Sequence, residues 1–327
     1  MKSFSLALLQ RCGAFDLARA MSSGLGRILM YHNFSKSDEP DHDAVLVSQV
    51  KEQFEYLRQH FQVVPLSILV DQLASGQRLE HRVVALTVDD GRRNFYECFY
   101  PLLTEFSMPA TFFVVTSFLG GQDWIWTDKV LWLAEQSHRP DELAPERIER
   151  FFATLSGMAP EARDRHIAAL ATGMETEIPA QPPSRYASCT WSELQEMADS
   201  GLVEIGSHTV NHPVLSSLNE EESLWQLTES RAQIERNLGR KVKCFCFPNG
   251  KQTDYRAIHL RQVQEAGYAS AVSAQFGMVS EGSNIFELPR IGVSGASNPL
   301  SFAKDIDGAA YYHLRIRASL GLRRATI

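Results

Sequence analysis

Val83-Val84-Ala85-Leu86-Thr87-Val88 runs directly into Asp89-Asp90-Gly91. A short, uncharged run rich in β-branched side chains, closed by a glycine, predicts a strand buried on both faces that ends in an acidic turn. Six further short apolar runs, at 27–34, 110–118, 203–208, 243–247, 268–273 and 286–293, read as strands by β-branched and aromatic content and by flanking turn residues. Helical patterns separate most of them, at 49–60, 94–106, 191–199, 220–238 and 254–266. Two of these carry clear boundaries. Thr190 and Glu193 form a capping box ahead of 191–199, and 220–238 starts after Asn219 and stops at Gly239. Strands alternating with helices predict an α/β fold around a parallel sheet, closed as a barrel or left open.

The polar residues decide between those two forms. His32, Asp89, Asp90, His208, Pro248-Asn249-Gly250 and Arg290 all fall at or near the C-terminal ends of separate predicted strands. A parallel barrel gathers those ends on one face, where active sites lie. An open doubly wound sheet gathers ligands at its switch point, and the chain has no glycine-rich phosphate loop to mark one. The expectation is a (β/α) barrel.

His208-Thr209-Val210-Asn211-His212 supplies two imidazoles four residues apart, which share a side of the chain in a helical turn or in extended backbone. Two histidines and one carboxylate make a three-ligand metal site with a position left for water. Adjacent strand residues face opposite ways, so Asp89 and Asp90 are not equivalent. Gly91 lets the chain turn there, so that one carboxylate can bind the metal while the other faces the water. A bound metal lowers the pKa of water to about 7, and a neighbouring carboxylate takes its remaining proton. A metallohydrolase is the expected activity. The same ligand set serves non-haem Fe(II) oxygenases, but a second carboxylate placed to activate water counts against that class.

These motifs resemble those of the polysaccharide deacetylases of carbohydrate esterase family 4, over roughly residues 27–293. Thr87-Val88-Asp89-Asp90-Gly91 is similar to the family's first motif, which implies Asp89 as base and Asp90 as metal ligand. His208-Thr209-Val210-Asn211-His212 resembles the second, which implies His208 and His212 as the remaining ligands of a Zn2+ or another divalent transition metal. Phe247-Pro248-Asn249-Gly250 resembles the third, a groove wall and backbone oxyanion donor. The resemblance implies a distorted (β/α)7 barrel and an acetylated polysaccharide or oligosaccharide as substrate, with acetyl leaving from nitrogen or oxygen. Two motifs depart from the pattern. Cys246 stands where an arginine is usual, and Leu288-Pro289-Arg290 replaces Leu-x-His, so the usual general acid is missing. Both departures, with Met30-Tyr31-His32 and Trp124-Ile125-Trp126-Thr127-Asp128, resemble the branch that acts on bacterial exopolysaccharides. A relative that binds carbohydrate without chemistry is the alternative. His32 is the expected proton donor, because imidazole's ordinary pKa of about 6.5 suits it to release a proton at neutral pH. Arg290 is too basic for that task and is expected to hold Asp89 or substrate. Trp124 and Trp126 are expected as a sugar-stacking wall or as core aromatics.

The rest of the chain bounds the reading. Its 327 residues are 44% hydrophobic and 22% charged, enough for a large core and not a disordered chain. A formal charge of -7 argues against nucleic acid as main partner. No apolar stretch approaches the roughly 20 residues of a transmembrane helix. Residues 1–26 are expected as an amphipathic helical extension, with Phe4, Leu8, Cys12 and Phe15 on one side; Arg11, Asp16 and Arg19 argue against a cleaved signal. The barrel is expected over 27–299, with a helical insertion at 134–187, either a lid or padding. Residues 300–327 are expected as a helical tail whose Arg315, Arg317, Arg323 and Arg324 suit peripheral membrane contact or docking on the barrel. Five cysteines at irregular spacing, Cys244-Phe245-Cys246 among them, suggest free thiols and a cytoplasmic location.

Overall fold

The computed structural model describes residues 8, 11–36, 44–76, 78–79, 82–121, 123–137 and 145–320. Each of the seven runs contains a strand: β1 (Arg27–Tyr31), β2 (Val83–Val88), β3 (Ala110–Val114), β4 (Val203–Ser207), β5 (Cys244–Cys246), β6 (Ser270–Phe276) and β7 (Leu288–Gly292). They follow one another in parallel around the sheet in the order β1-β7-β6-β5-β4-β3-β2. β2 then pairs back onto β1, from Arg27 opposite Val84 to Tyr31 opposite Val88. That last pairing closes a seven-stranded barrel and sends every C-terminal strand end to one rim. The barrel is distorted between β6 and β7, where the register slips between Leu288 and Arg290.

Strand alternation divides the interior into two cores. Ile28, Ala85, Phe113, Cys244, Cys246, Val272 and Leu288 pack together with the helix Leu66–Ala74. Leu29, Tyr31, Val84, Leu86, Val88, Phe112 and Phe245 belong to a second core shared with the surrounding helices. Gly206 serves the first of these. A Cβ there would lie 2.4 Å from the Phe113 ring, so only glycine admits that ring at this level.

The helices keep the boundaries their caps announce. Trp191–Asp199 begins with the reciprocal Thr190–Glu193 bonds, and Glu220–Leu238 ends at Gly239 with φ 61°. The pattern at 94–106 divides into a π-helical turn, Phe95–Phe99, and the helix Tyr100–Phe106. Between β3 and β4 lie the helices Trp126–Gln136, Pro145–Ser156 and Pro160–Gly173. At the start of the chain the helix is Ala14–Met21, with Phe15 buried and Leu8 and Cys12 exposed; Phe4 lies outside the described residues. At the other end, Pro299–Ile306 sends Phe302 and Ile306 into the outer core, Ala309–Ser319 follows, and Arg323 and Arg324 lie outside the described residues. Among the described residues no helix is long and apolar enough to cross a membrane.

Candidate metal and catalytic site

Asp89 and Asp90 leave the end of β2 in different directions because the backbone reverses between them. Asp90 has φ 81° and Gly91 φ 87°. The histidine segment reverses as well, with Thr209 at φ 73° and His212 at φ 55°, so it is neither helical nor extended, contrary to expectation. Left-handed backbone at a side-chain-bearing residue costs on the order of 1–3 kcal/mol and persists only where the surroundings enforce it. Here they do. The Thr209 hydroxyl accepts from the His212 N–H at 3.0 Å, and the Gln226 amide oxygen accepts from Val210 N–H at 2.9 Å. The Trp126 indole N–H donates to the His212 carbonyl at 3.0 Å.

The result is a compact donor set. His208 Nε2 and His212 Nε2 each lie 3.7 Å from Asp90 Oδ1. Three ligands at 2.0–2.2 Å in tetrahedral geometry stand about 3.3–3.6 Å apart, so a metal ion fits with little adjustment. The His208 ring is fixed by its Nδ1, 2.8 Å from the Cys246 carbonyl, which puts the proton on Nδ1 and leaves the Nε2 lone pair toward Asp90. Burial lowers the pKa of both imidazoles, and for His212, helped by neighbouring His208, to about 3. Both are therefore in the neutral form that ligates metal.

The second carboxylate is differently engaged. Asp89, 2% exposed, receives both Arg290 terminal nitrogens at 2.7 Å. Arg290 spends its remaining donors on the Ser273 carbonyl at 2.8 Å and the Thr87 hydroxyl at 3.0 Å, and Cys246 Sγ lies 3.2 Å from it. Burial is the largest influence on Asp89 and would raise its pKa, but the charge and hydrogen bonds of Arg290, with the neighbouring histidines, together outweigh it and hold the carboxyl well below its usual range. For Asp90 burial is likewise outweighed, by Arg92 and the neighbouring histidines together, and its pKa is lowered. His32 Nε2 stands 3.7 Å from Asp89 Oδ2 on the open side, with its side chain 45% exposed.

Pro248 and Gly250 are buried beside these groups, and Asn249, at φ 56°, is half-buried. The Gly250 N–H is spent on the Pro248 carbonyl at 2.6 Å, whereas the Asn249 N–H has no partner among the described residues. Two expected substrate contacts are corrected. Arg290, 1% exposed, has every donor committed inside the barrel. Trp126, 2% exposed, is packed under Arg163 and Phe152 and presents no stacking face. Trp124 is likewise buried, its N–H on the Pro179 carbonyl. Motif reading passes over Arg92 and Gln226, and it quotes the segment ending in Asp128 without giving that residue a role. Arg92 holds Asp90 Oδ2 at 3.3 Å and pairs with fully buried Asp128. The proximity of Arg92 to the acidic turn is the one sequence signal that pointed to it.

Comparison with known proteins agrees with this architecture. The family model described as polysaccharide deacetylase matches residues 76–271. A poly-beta-1,6-N-acetyl-D-glucosamine N-deacetylase of Escherichia coli (strain K12) is 22% identical over 292 residues, 80% of this chain. The chain spans only 35% of that relative's length. A protein of the same name from Staphylococcus aureus (strain MSSA476) is 22% identical over 270 residues, covering 80% of this chain and 71% of the relative. Among solved structures, the Streptococcus pyogenes deacetylase PplD in complex with acetate superposes with a TM-score of 0.61 at 18% identity, over 87% of this chain and 99% of that one. IcaB from Ammonifex degensii gives 0.60 at 18% identity, over 87% and 97%. At these identities the two structures speak for the fold.

Proposed function

Because the chain belongs to the polysaccharide deacetylase family, we propose that it is a metal-dependent hydrolase that removes N-linked acetyl groups from an N-acetylhexosamine exopolysaccharide or its precursor. The observation that carries this reading is the rim itself: two carboxylates, two neutral histidines and an exposed third histidine within a few ångströms of one another. The names of the relatives favour nitrogen over oxygen as the acetyl-bearing atom.

Asp90, His208 and His212 would hold the metal, for which zinc is the proposed ion. When bound, such an ion supplies Lewis-acid charge and an acidified water. Asp89, kept ionised by Arg290, accepts the proton that the attacking water loses. The Asn249 N–H is available to the carbonyl oxygen as negative charge develops there. His32, on the open side of Asp89, returns a proton to the departing amine as the C–N bond breaks, giving acetate and a free amino sugar. Arg290 holds the base and leaves protonation of the amine to His32.

The test is acetate release from N-acetylglucosamine oligosaccharides by protein loaded with zinc, then stripped by a chelator and reloaded. Release that follows the metal supports the reading. Release of none from β-1,6- or β-1,4-linked oligosaccharides, with stoichiometric zinc bound, overturns it.

A further inference from the structure

A second cavity lies behind the histidine segment, between the helices Pro160–Gly173 and Glu220–Leu238. Its volume is about 390 Å3, and its lining includes Trp225, Asn211, Glu161, Glu221 and Glu222. That volume falls within the roughly 300–1,000 Å3 of small-ligand sites. Trp225 is 50% exposed, whereas Trp124 and Trp126 are buried. Asn211 joins this cavity to the rim, since its chain neighbour His212 faces Asp90. Its side chain is held there by the Gln226 amide, which donates to Asn211 Oδ1 at 2.7 Å.

The charge of the lining is one-sided. Glu161, Glu221 and Glu222 are exposed, and no lysine or arginine lines the cavity. Glu222 also caps its own helix by accepting from Asn219 N–H at 3.0 Å. Glu161 and Glu221 make no hydrogen bond or ion pair among the described residues. An indole face beside unpaired carboxylates suits a sugar ring that carries a positive charge: the ring packs on the apolar face, and an ammonium is drawn both to the π-system and to the carboxylates. Removal of an acetyl group from a 2-acetamido sugar creates such a ring.

We propose that this cavity is a subsite for an already deacetylated, cationic amino-sugar unit of the polymer. The proposal rests on the reaction stated above and adds to it a place for the product beside the metal ligands. A chain that already carries free amines is then held more tightly than a fully acetylated one. Deacetylation accordingly proceeds preferentially next to units already processed.

The probe is a glucosamine pentasaccharide without acetyl groups, β-1,6- or β-1,4-linked, titrated calorimetrically into the full-length, zinc-loaded protein. Wild type binds it more tightly than the fully acetylated pentasaccharide, and the affinity falls as salt is raised. Trp225→Ala weakens binding roughly fivefold or more, the scale of a lost cation–π contact. The double variant Glu161→Gln, Glu221→Gln removes the salt dependence while leaving Trp225 in place, which guards against a folding defect in the first variant. Equal affinity of wild type and both variants for the amino pentasaccharide overturns the proposal. So does a preference for the acetylated probe, or a dimer broken by Trp225→Ala with no oligosaccharide bound. Amine binding that depends on Trp225 without acetate release from any glycan would leave the subsite and remove the reaction. Acetate release with Trp225-independent binding would do the reverse.

Discussion

Replacing Arg290 by methionine removes the guanidinium that donates to both oxygens of a carboxylate that is 2% exposed. Methionine roughly preserves the apolar stem, so the loss is chiefly the two 2.7 Å charge-assisted bonds to Asp89 and those to Ser273 and Thr87. Breaking one partner of a buried pair costs about 3–5 kcal/mol, because the remaining charge is left uncompensated. Against the roughly 5–15 kcal/mol of a typical fold, that is a large fraction. The cost carries a pH signature. In the native chain the Asp89 pKa lies below its unfolded value of about 3.9, so its contribution is present above that pH and fades as pH falls through the depressed native value. In Arg290→Met burial dominates and the native pKa rises above the unfolded one. The variant is then most destabilised at neutral pH, and the deficit shrinks as acid protonates Asp89. Asp89→Asn combined with Arg290→Met recovers much of the loss, since neither partner is then charged. Urea denaturation followed by circular dichroism at pH 7.5 and pH 5 reads the wild type and both variants. A deficit below about 1 kcal/mol at pH 7.5, or one that does not shrink in acid, would refute the buried-pair account.

The remaining expectations concern metal and turnover. Alanine at Asp90, His208 or His212 should each cut zinc occupancy sharply, measured by elemental analysis of purified protein; stoichiometric zinc in all three variants would remove the ligand assignment. Asp89→Asn should keep the metal and lose about 10²–10⁴ in kcat, and normal turnover with lost zinc would mean that the two aspartates exchange roles. His32→Gln should keep zinc and KM, lower kcat and flatten the alkaline limb of the pH–rate profile, whereas an unchanged profile would make water the proton donor. Gln226→Leu should weaken zinc affinity by about 10–100-fold, as loss of an outer-shell hydrogen bond does, and a competition titration with a chelator measures it.

The sequence announces what is local. Each strand run is set by its own β-branched or aromatic residues, and each clean helix boundary by its own cap, such as Thr190 with Glu193 or Gly239 after Leu238. What escapes reading is contact between distant parts of the chain. The helix Leu66–Ala74 carries a helical period at Leu66, Leu69, Val70 and Leu73, but that spacing does not say that this face packs against the barrel strands. The two-residue strand Gln62–Val63 is too short to signal itself. Gln226 reads as one more polar residue in a long surface helix, and only the fold shows its side chain threaded under Val210 and Asn211. Trp126 reads as a sugar platform because aromatic residues serve both surfaces and cores, and sequence carries no information on which way the indole faces.

Arg290 shows how far motif reading reaches. Its position in the last strand run is legible, and the choice between holding Asp89 and holding substrate is not, because the partner is 201 residues away. The structure settles it through geometry at Cys246. A small thiol at that rim position, 3.5 Å from Asp89 Oδ2, leaves the space through which the Arg290 guanidinium reaches the carboxylate from the next strand but one. With an arginine occupying β7 in this way, no proton donor can come from there. The group that faces Asp89 from outside the barrel is then His32, the residue just after β1, the strand that closes the barrel against β2. The two departures from the resembling motifs and the histidine after β1 are thus parts of one arrangement. Cys246 admits Arg290, Arg290 fixes Asp89 as an anion, and the mechanism proposed above gives the proton-donating duty to His32, across the closing seam of the barrel.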